Sequence, residues 1–422
     1  MESITMTTAI LALIILAAVL AQVAFVLLLG LYRRKQQYQK PDVRRGNLAP
    51  PSTTEGLTPA PSLANFTEFV VQARELEDGN QSVCSFYLVP VDGKPLARFR
   101  PGQFLTFKLQ IDDPHSRELK TVVRCYSLSE APRPDYYRVT IKRVPAPVGQ
   151  PGVPAGLSSS FFHDHVQQGS RLWVKAPAGH FHLVEDEPLP IVLIGGGIGI
   201  TPMLSMLNSV LESGSKREIW LYYGVSNGNE QIMKTHLQSL ATRHDNFHLH
   251  VCYSAPNESD VAGVDYQHRG FVDIPLLRNT LKLMRYQFYV CGPRPMMESL
   301  VPGLEEWGVD RADIYYESFG PATLIKHAKT EQVATSTQPI TVTFSRSGKS
   351  IRWDDTADSL LAFAEANGIE VASGCRAGSC GSCQTAMTSG ELDYKQAPDA
   401  DIVPGHCLLC IATPKSDLTL VA

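Results

Sequence analysis

The chain is poor in charge and has no dominant sign. Charged residues make up 19% of its 422 residues, below the ~25% usual in soluble domains. With 38 Lys+Arg against 42 Asp+Glu the net charge is −4. That balance excludes the basic footprint of a nucleic-acid binder, and 44% hydrophobic residues exclude a disordered chain. Cysteine is sparse until the end: Cys84, Cys125, Cys252 and Cys291 stand singly, whereas five more crowd the last 50 residues. Nine cysteines in a chain of this length do not read as a secreted disulfide framework. No internal repeat is present. The dinucleotide fingerprint G-x-G-x-x-G is also missing, because the one glycine-rich loop has Ile200 where the last glycine of that fingerprint would stand. The length allows two to four domains at ~100–200 residues each.

One long apolar run is present. Thr7–Leu31 is 25 residues without a charge, and a helix of that length exceeds the ~30 Å hydrocarbon core of a bilayer. Arg33, Arg34, Lys35, Lys40, Arg44 and Arg45 follow it, while the short N-terminal flank holds Glu2. The positive-inside rule then predicts a single-pass membrane anchor with the rest of the chain in the cytoplasm. A signal peptide cleaved after Ala21 is the alternative, but its n-region lacks a positive charge. Residues 36–64, rich in Pro, Gln, Ser and Thr, read as a flexible linker.

Three blocks follow. Residues 65–186 carry short strand-like runs separated by Gly, Pro and Asp turns, which predicts an antiparallel β-barrel. Residues 187–322 alternate apolar strands with helical stretches, which predicts an α/β domain with a parallel sheet. A linker at 323–337, polar from Thr330, precedes an acidic block at 338–422. That block holds ten acidic and six basic residues and reads as a hairpin, a helix, a cysteine loop and a closing strand.

Cys375, Cys380 and Cys383 are spaced C-x4-C-x2-C. Thiolates are soft ligands for iron, and a short loop can wrap several around one cluster. Gly374, Gly378 and Gly381 allow tight wrapping. The fourth ligand comes from Cys407 or Cys410; zinc or ordinary buried cysteines are the alternatives. The segment resembles the plant-type ferredoxins, with their β-grasp fold and [2Fe–2S] cluster. That resemblance, through Ile411, Ala412, Pro414 and Asp417, implies Cys410 as the fourth ligand.

Two further motif sets carry chemistry. Arg124-Cys125-Tyr126-Ser127-Leu128 supplies a bidentate phosphate donor, a ring and a hydroxyl, and Gly156-Leu157-Ser158-Ser159 supplies a small-residue loop. After an apolar strand, Gly195-Gly196-Gly197-Ile198-Gly199-Ile200-Thr201-Pro202 allows backbone N–H groups to approach a pyrophosphate, with Thr201 as the expected helix cap. Cys291-Gly292-Pro293 and Tyr316-Glu317-Ser318-Phe319 follow. In this order the segments resemble the ferredoxin–NADP reductase superfamily. The resemblance implies that Arg124, Tyr126, Ser127, Gly156 and Ser159 bind the flavin. It implies that Gly195, Gly197, Gly199, Thr201, Cys291, Gly292 and Pro293 bind the pyridine nucleotide, and that Ser127, Cys291 and Glu317 surround the hydride-transfer contact.

The resemblance covers about 85% of the chain, and its domain order is that of the oxygenase-reductase branch. It implies electron flow from NADH through flavin and [2Fe–2S] to an acceptor protein, such as a membrane oxygenase or desaturase. FAD is expected over FMN, because GLSSSFFHD, APAGHF and YYESFGPA resemble the flavohaemoglobin reductase module. NADH is expected over NADPH, because Tyr223–Glu230 offers no basic residue for a 2′-phosphate and ends in an acid. An NADH:quinone oxidoreductase and a non-enzymatic redox sensor are the alternative readings. His163/His165, His180/His182 and His248/His250 lack a third ligand pattern and read as solvated or hydrogen-bonded histidines.

Overall fold

The computed structural model describes residues 66–112, 119–146, 154–185, 187–319, 340–354 and 357–374, then 376, 378, 381–394, 398, 400 and 402–422. The apolar run Thr7–Leu31, the tether, the linker at 323–337, Cys375 and Cys380 lie outside the described residues. Among the described residues no helix is long and apolar enough to cross a membrane.

Six antiparallel strands form the first domain: β1 (Phe66–Leu76), β2 (Val83–Pro90), β3 (Phe104–Asp112), β4 (Leu119–Ser127), β5 (Tyr137–Lys142) and β6 (Arg171–Ala178). Their order is β4-β3-β6-β1-β2-β5. A bridge between Leu128 and Val139 joins the two outer strands and closes the barrel. Helix α1 (Leu157–His165) plugs it. Phe162 of α1 meets Phe86 and Phe107 edge-on, each at 5.3 Å between ring centroids, the preferred geometry for aromatic quadrupoles.

The second domain is a six-stranded parallel sheet. It comprises β7 (Ile191–Gly196), β8 (Ile219–Val225), β9 (Phe247–Tyr253), β10 (His268–Arg269), β11 (Gln287–Gly292) and β12 (Ile314–Ser318). The order is β10-β9-β8-β7-β11-β12. Helices α2 (Ile200–Glu212), α3 (Lys234–Arg243), α4 (Ile274–Thr280) and α5 (Arg294–Glu306) cover its two faces. β7 and β11 are buried along their whole length, as expected for strands covered on both sides. The chain runs outward from β7 through β8 and β9, then returns to place β11 on β7's other side. The carboxyl ends of β7 and β11 therefore form a topological switch point, where open α/β sheets bind ligands.

The helix after β8 begins only at Lys234. Gln231 and Ile232 are pulled into the core, and Met233 adopts a left-handed backbone (φ 55°) that breaks the run. The edge strands β10 and β12 are short, at two and five residues.

The last domain holds β13 (Thr341–Phe344), β14 (Lys349–Arg352), β15 (Gln384–Ser389), β16 (Leu392–Tyr394), β17 (His406–Leu408), β18 (Ala412–Pro414) and β19 (Leu418–Leu420). The mixed sheet runs β14-β13-β19-β15-β17, with β16 and β18 paired separately. Helix α6 (Leu360–Ala366) packs on it, its N-terminus capped by Ser359, whose Oγ accepts from Ala362 N at 3.2 Å.

Candidate functional site

A cavity of about 520 Å³ lies where the domains meet, within the ~300–1,000 Å³ usual for cofactor sites. The barrel contributes Arg124, Tyr126, Ser127, Lys142, Gly156 and Ser159; the parallel-sheet domain contributes Ile198, Thr201, Glu317 and Phe319. Ser373, Gly374 and Arg376 of the cysteine loop also line it.

The barrel wall is rigid. The Tyr126 ring is wedged between Phe107 (5.8 Å) and Phe162 (5.2 Å), and its hydroxyl pairs with Ser158 Oγ at 2.9 Å. Burial pushes the Tyr126 phenol up to about 12, so it stays neutral. Ser159 Oγ accepts from Val144 N (3.1 Å) and donates to Gly156 O (3.0 Å). A Cβ on Gly156 would come within 2.7 Å of Ser159 Oγ and 2.9 Å of Val144, so this turn has room for no side chain. Arg124 stands exposed at the rim, one guanidinium N–H donating to Val123 O at 2.7 Å.

The opposite wall is built from strand ends. Gly195, Cys291 and Glu317 lie side by side in register across β7, β11 and β12. After β7, Gly197–Gly199 forms a 3-10 turn, and Gly199 packs so closely on β11 that a Cβ there would lie 2.2 Å from Cys291 O. A Cβ on Gly292 would meet Gly196 Cα at 3.1 Å. These glycines are required by the close approach of two loops. The 3-10 turn also corrects the expected cap. Gly199, not Thr201, occupies that position, and Thr201 sits inside the first turn of α2 with its hydroxyl donating to Ile198 O at 3.0 Å.

Glu317 is the site's distinctive titratable group. The residue is half-buried, yet Oε2 is sealed from solvent and has no protein hydrogen bond. Burial pushes its carboxyl up to about 8, with Ser127 opposing through a hydrogen bond. Burial, then the Glu317 charge, push the Cys291 thiol well up. Cys291 therefore stays a thiol and packs rather than acting as a nucleophile.

Arg124, Tyr126, Ser127, Gly156, Ser159, Thr201 and Glu317 thus meet in one cavity. Gly195, Gly197, Gly199, Cys291, Gly292 and Pro293 shape the floor behind it and are not among its lining residues. Lys142, Ser158, Phe319 and Arg376 line it as well, although sequence reasoning did not single them out. Lys142 is also tied to Glu230 at 3.1 Å. That acid therefore has a counter-charge on the barrel and is not a bare charge at the end of β8.

The cysteine loop is partly described. Cys383 and Cys410 are buried, and Leu409 N donates to Cys383 O at 3.3 Å, joining the two segments. Gly378 and Gly381 have φ of 77° and 73°, which only glycine adopts at little cost. Cys407 is buried in β17 opposite Thr385. No described cysteine is in a disulfide. Among the histidines, His163 Nε2 meets Ile141 O at 2.9 Å, His248 meets Glu218 at 2.6 Å and His250 meets His268 at 3.0 Å. Among the described residues no group of metal-ligating side chains is assembled.

Residues 193–301 match the family described as oxidoreductase NAD-binding domain, and residues 342–415 the family described as 2Fe-2S iron-sulfur cluster binding domain. A flavohemoprotein of Halalkalibacterium halodurans is 40% identical over 257 residues, 61% of this chain and 60% of that protein. The flavohem-like FAD/NAD-binding domain of nitric oxide dioxygenase from Vibrio cholerae O1 biovar El Tor is 30% identical, with a TM-score of 0.53 over 61% of this chain and 100% of that one. An intact type IV self-sufficient cytochrome P450 monooxygenase shares the fold over 88% of this chain and 43% of its own length, at 21% identity and a TM-score of 0.54. The chain spans about 60% of the length of the curated relatives it matches.

Fold, cavity and matches together define an FAD- and NAD-binding oxidoreductase with an iron–sulfur domain. Its reductase part belongs with the ferredoxin–NADP reductase-like FAD/NAD-binding domains, and a 2Fe-2S cluster-binding domain follows it; FAD, NAD(H) and the cluster are the cofactors these domains support. The residues fit these groups. The side-chain-free turn at Gly156, the sealed and unpartnered Glu317 Oε2 and the cavity volume suit a flavin and a nicotinamide. The buried thiols of Cys383 and Cys410, with the glycine turns at Gly378 and Gly381 leading into Cys383, suit iron.

Proposed function

We propose that this protein is a membrane-anchored, NADH-dependent reductase that passes electrons singly to an acceptor protein, such as a membrane oxygenase or desaturase component. One observation carries the reading: Ser373, Gly374 and Arg376 of the cysteine loop line the same cavity as Tyr126, Ser127 and Glu317. When bound, FAD takes a hydride and splits its electron pair, and the cluster relays single electrons.

The chain's own residues organise that exchange. Tyr126, fixed by Phe107 and Phe162, walls one side. Ser159 and Gly156 form the phosphate turn, with Arg124 at the rim. Ser127 and Glu317 face the reacting edge, and Cys291 backs it as a neutral thiol. Cys375, Cys380, Cys383 and Cys410 hold the iron. The acidic C-terminal domain favours a basic docking patch on the acceptor.

The turn after β8, Ser226–Asn229, has no basic residue of its own, and the nearby Lys142 and Lys234 are held by Glu230 at 3.1 Å and Asp265 at 2.6 Å. NADH is therefore expected to exceed NADPH by at least tenfold in kcat/KM, measured by flavin reduction at low salt. Equal values would refute the preference. The anchor reading rests on Thr7–Leu31 and its basic collar. Full-length protein is expected in the membrane fraction and resistant to salt extraction, and removal of residues 1–36 is expected to release it. Release of the intact chain by salt would overturn the anchor while leaving the reductase reading in place.

A further inference from the structure

We propose that Glu130 is a positioning residue for hydride transfer. With Arg138, Asn208 and Ser205 it forms a buried lock that fixes the barrel wall of the cavity against the pyridine-nucleotide loop. The proposal rests on reading the cavity as the hydride-transfer site.

The lock begins one turn away from the cavity on both sides. Glu130 lies three residues beyond Ser127, and Ser205 lies four beyond Thr201; Ser127 and Thr201 both line the cavity. Helix α2 buries Met203, Leu204, Met206, Leu207, Val210 and Leu211, contacts that are non-directional and do not define a unique position. Its polar residues Ser205, Asn208 and Glu212 recur at i, i+3 and i+7, on one face, and each bonds the segment after β4. Ser205 Oγ donates to Glu130 O at 2.8 Å, Asn208 Nδ2 donates to Glu130 Oε1 at 2.8 Å, and Glu212 pairs with Arg133 at 2.5 Å.

Every part of the Glu130 carboxyl is engaged. Oε1 also accepts from Ala131 N at 3.0 Å and Arg133 at 3.4 Å. Oε2 meets the buried Arg138 guanidinium at 3.1 Å. Arg138 is held in turn by the hydroxyl and carbonyl of Ser129. Asn208 Oδ1 meets His236 Nε2 of α3 at 3.1 Å, so its amide is oriented from both ends. Burial opposes the charge on Glu130 most strongly, but Arg138, the Ala131 N–H, Arg133 and Asn208 together outweigh it and hold the carboxyl below its ordinary range. A buried ion pair is weak evidence for stability, since well-packed apolar groups often do as well. Charge-assisted bonds are directional, however, and a displacement of 1 Å between reacting groups can cost about a hundredfold in rate.

Asn208→Ala is the primary test, because it removes the one bond from α2 to the Glu130 carboxyl and leaves the Glu130–Arg138 pair intact. In full-length holoprotein its FAD content and cluster spectrum are expected to match wild type. In anaerobic stopped flow with NADH, the limiting rate of flavin reduction is expected to fall at least tenfold, with the Kd for NADH changed less than threefold. The charge-transfer band of reduced flavin with NAD+ is expected to weaken, and amide hydrogen exchange across 197–212 to accelerate. Asn208→Asp, which sets a like charge against Glu130, is expected to act in the same direction. An unchanged limiting rate and band in both variants, with Tm lowered, would overturn the proposal and leave a merely structural contact. Absence of flavin reduction in the wild-type protein would instead overturn the hydride-transfer reading, and the proposal with it.

Discussion

Above pH 8, Glu317→Gln is expected to slow flavin reduction by NADH about 10–100-fold, the scale of losing one preorganised electrostatic group, with FAD still bound. As the hydride leaves, the nicotinamide gains positive charge, which a carboxylate in a sealed site stabilises more in the transition state than in the ground state. Glu317 sits beside Cys291 in the sheet register, opposite Ser127, with Oε2 sealed and unpartnered. Its carboxyl is pushed up to about 8 by burial, so it is neutral below that pH and charged above. The wild-type rate is therefore expected to rise as pH climbs through about 8, while the Gln variant stays flat.

Stability moves the other way. A carboxyl raised from 4.5 to about 8 contributes stability that is fully present below pH 4.5 and is lost as pH rises to about 8. The Tm of wild type relative to Glu317→Gln is expected to decline across that interval and to level off beyond it. Parallel rate profiles for the two proteins would remove Glu317 from the chemistry.

Cys410→Ser and Cys383→Ser are expected to abolish the cluster, read as loss of its visible bands and of the electron paramagnetic resonance signal of the reduced protein. Electron delivery to cluster-dependent acceptors falls to background, whereas flavin-level reduction of ferricyanide by NADH persists. Cys407→Ser is expected to keep the cluster. Iron needs thiolate ligands, and both Cys407 and Cys410 are buried in the same core, so burial does not discriminate between them. Loss of the cluster in Cys407→Ser with retention in Cys410→Ser would reverse the assignment.

Much of the fold was legible because the signals were local. The six barrel strands carried strand-like runs between Gly, Pro and Asp turns, and β7 and β11 were short apolar runs leading into the Gly195–Gly199 loop and the Cys291-Gly292-Pro293 segment. The motifs at Arg124–Ser127, Gly156–Ser159 and Tyr316–Phe319 were short and ordered, and the structure gathers residues from all three in one cavity. What escaped depended on distant partners. Thr201 looks like a cap until the 3-10 turn at Gly197–Gly199 starts α2 earlier. Glu230 looks like a free acid until the barrel supplies Lys142. Glu130, Asn208 and Ser205 are unremarkable in sequence, since only the docking of α2 makes them one network. Arg376 reads as a spacer between cysteines, and its place in the cavity depends on how the last domain meets the barrel.

Electrons are expected to pass from NADH through FAD to the [2Fe–2S] cluster. An anaerobic titration of the full-length protein in detergent, with NADH added stepwise, tests it most directly when visible and electron paramagnetic resonance spectra are recorded together. Flavin and cluster bands are both expected to bleach, and a reduced-cluster signal to appear. Flavin that bleaches beside a cluster that stays oxidised, or that is absent, would contradict it.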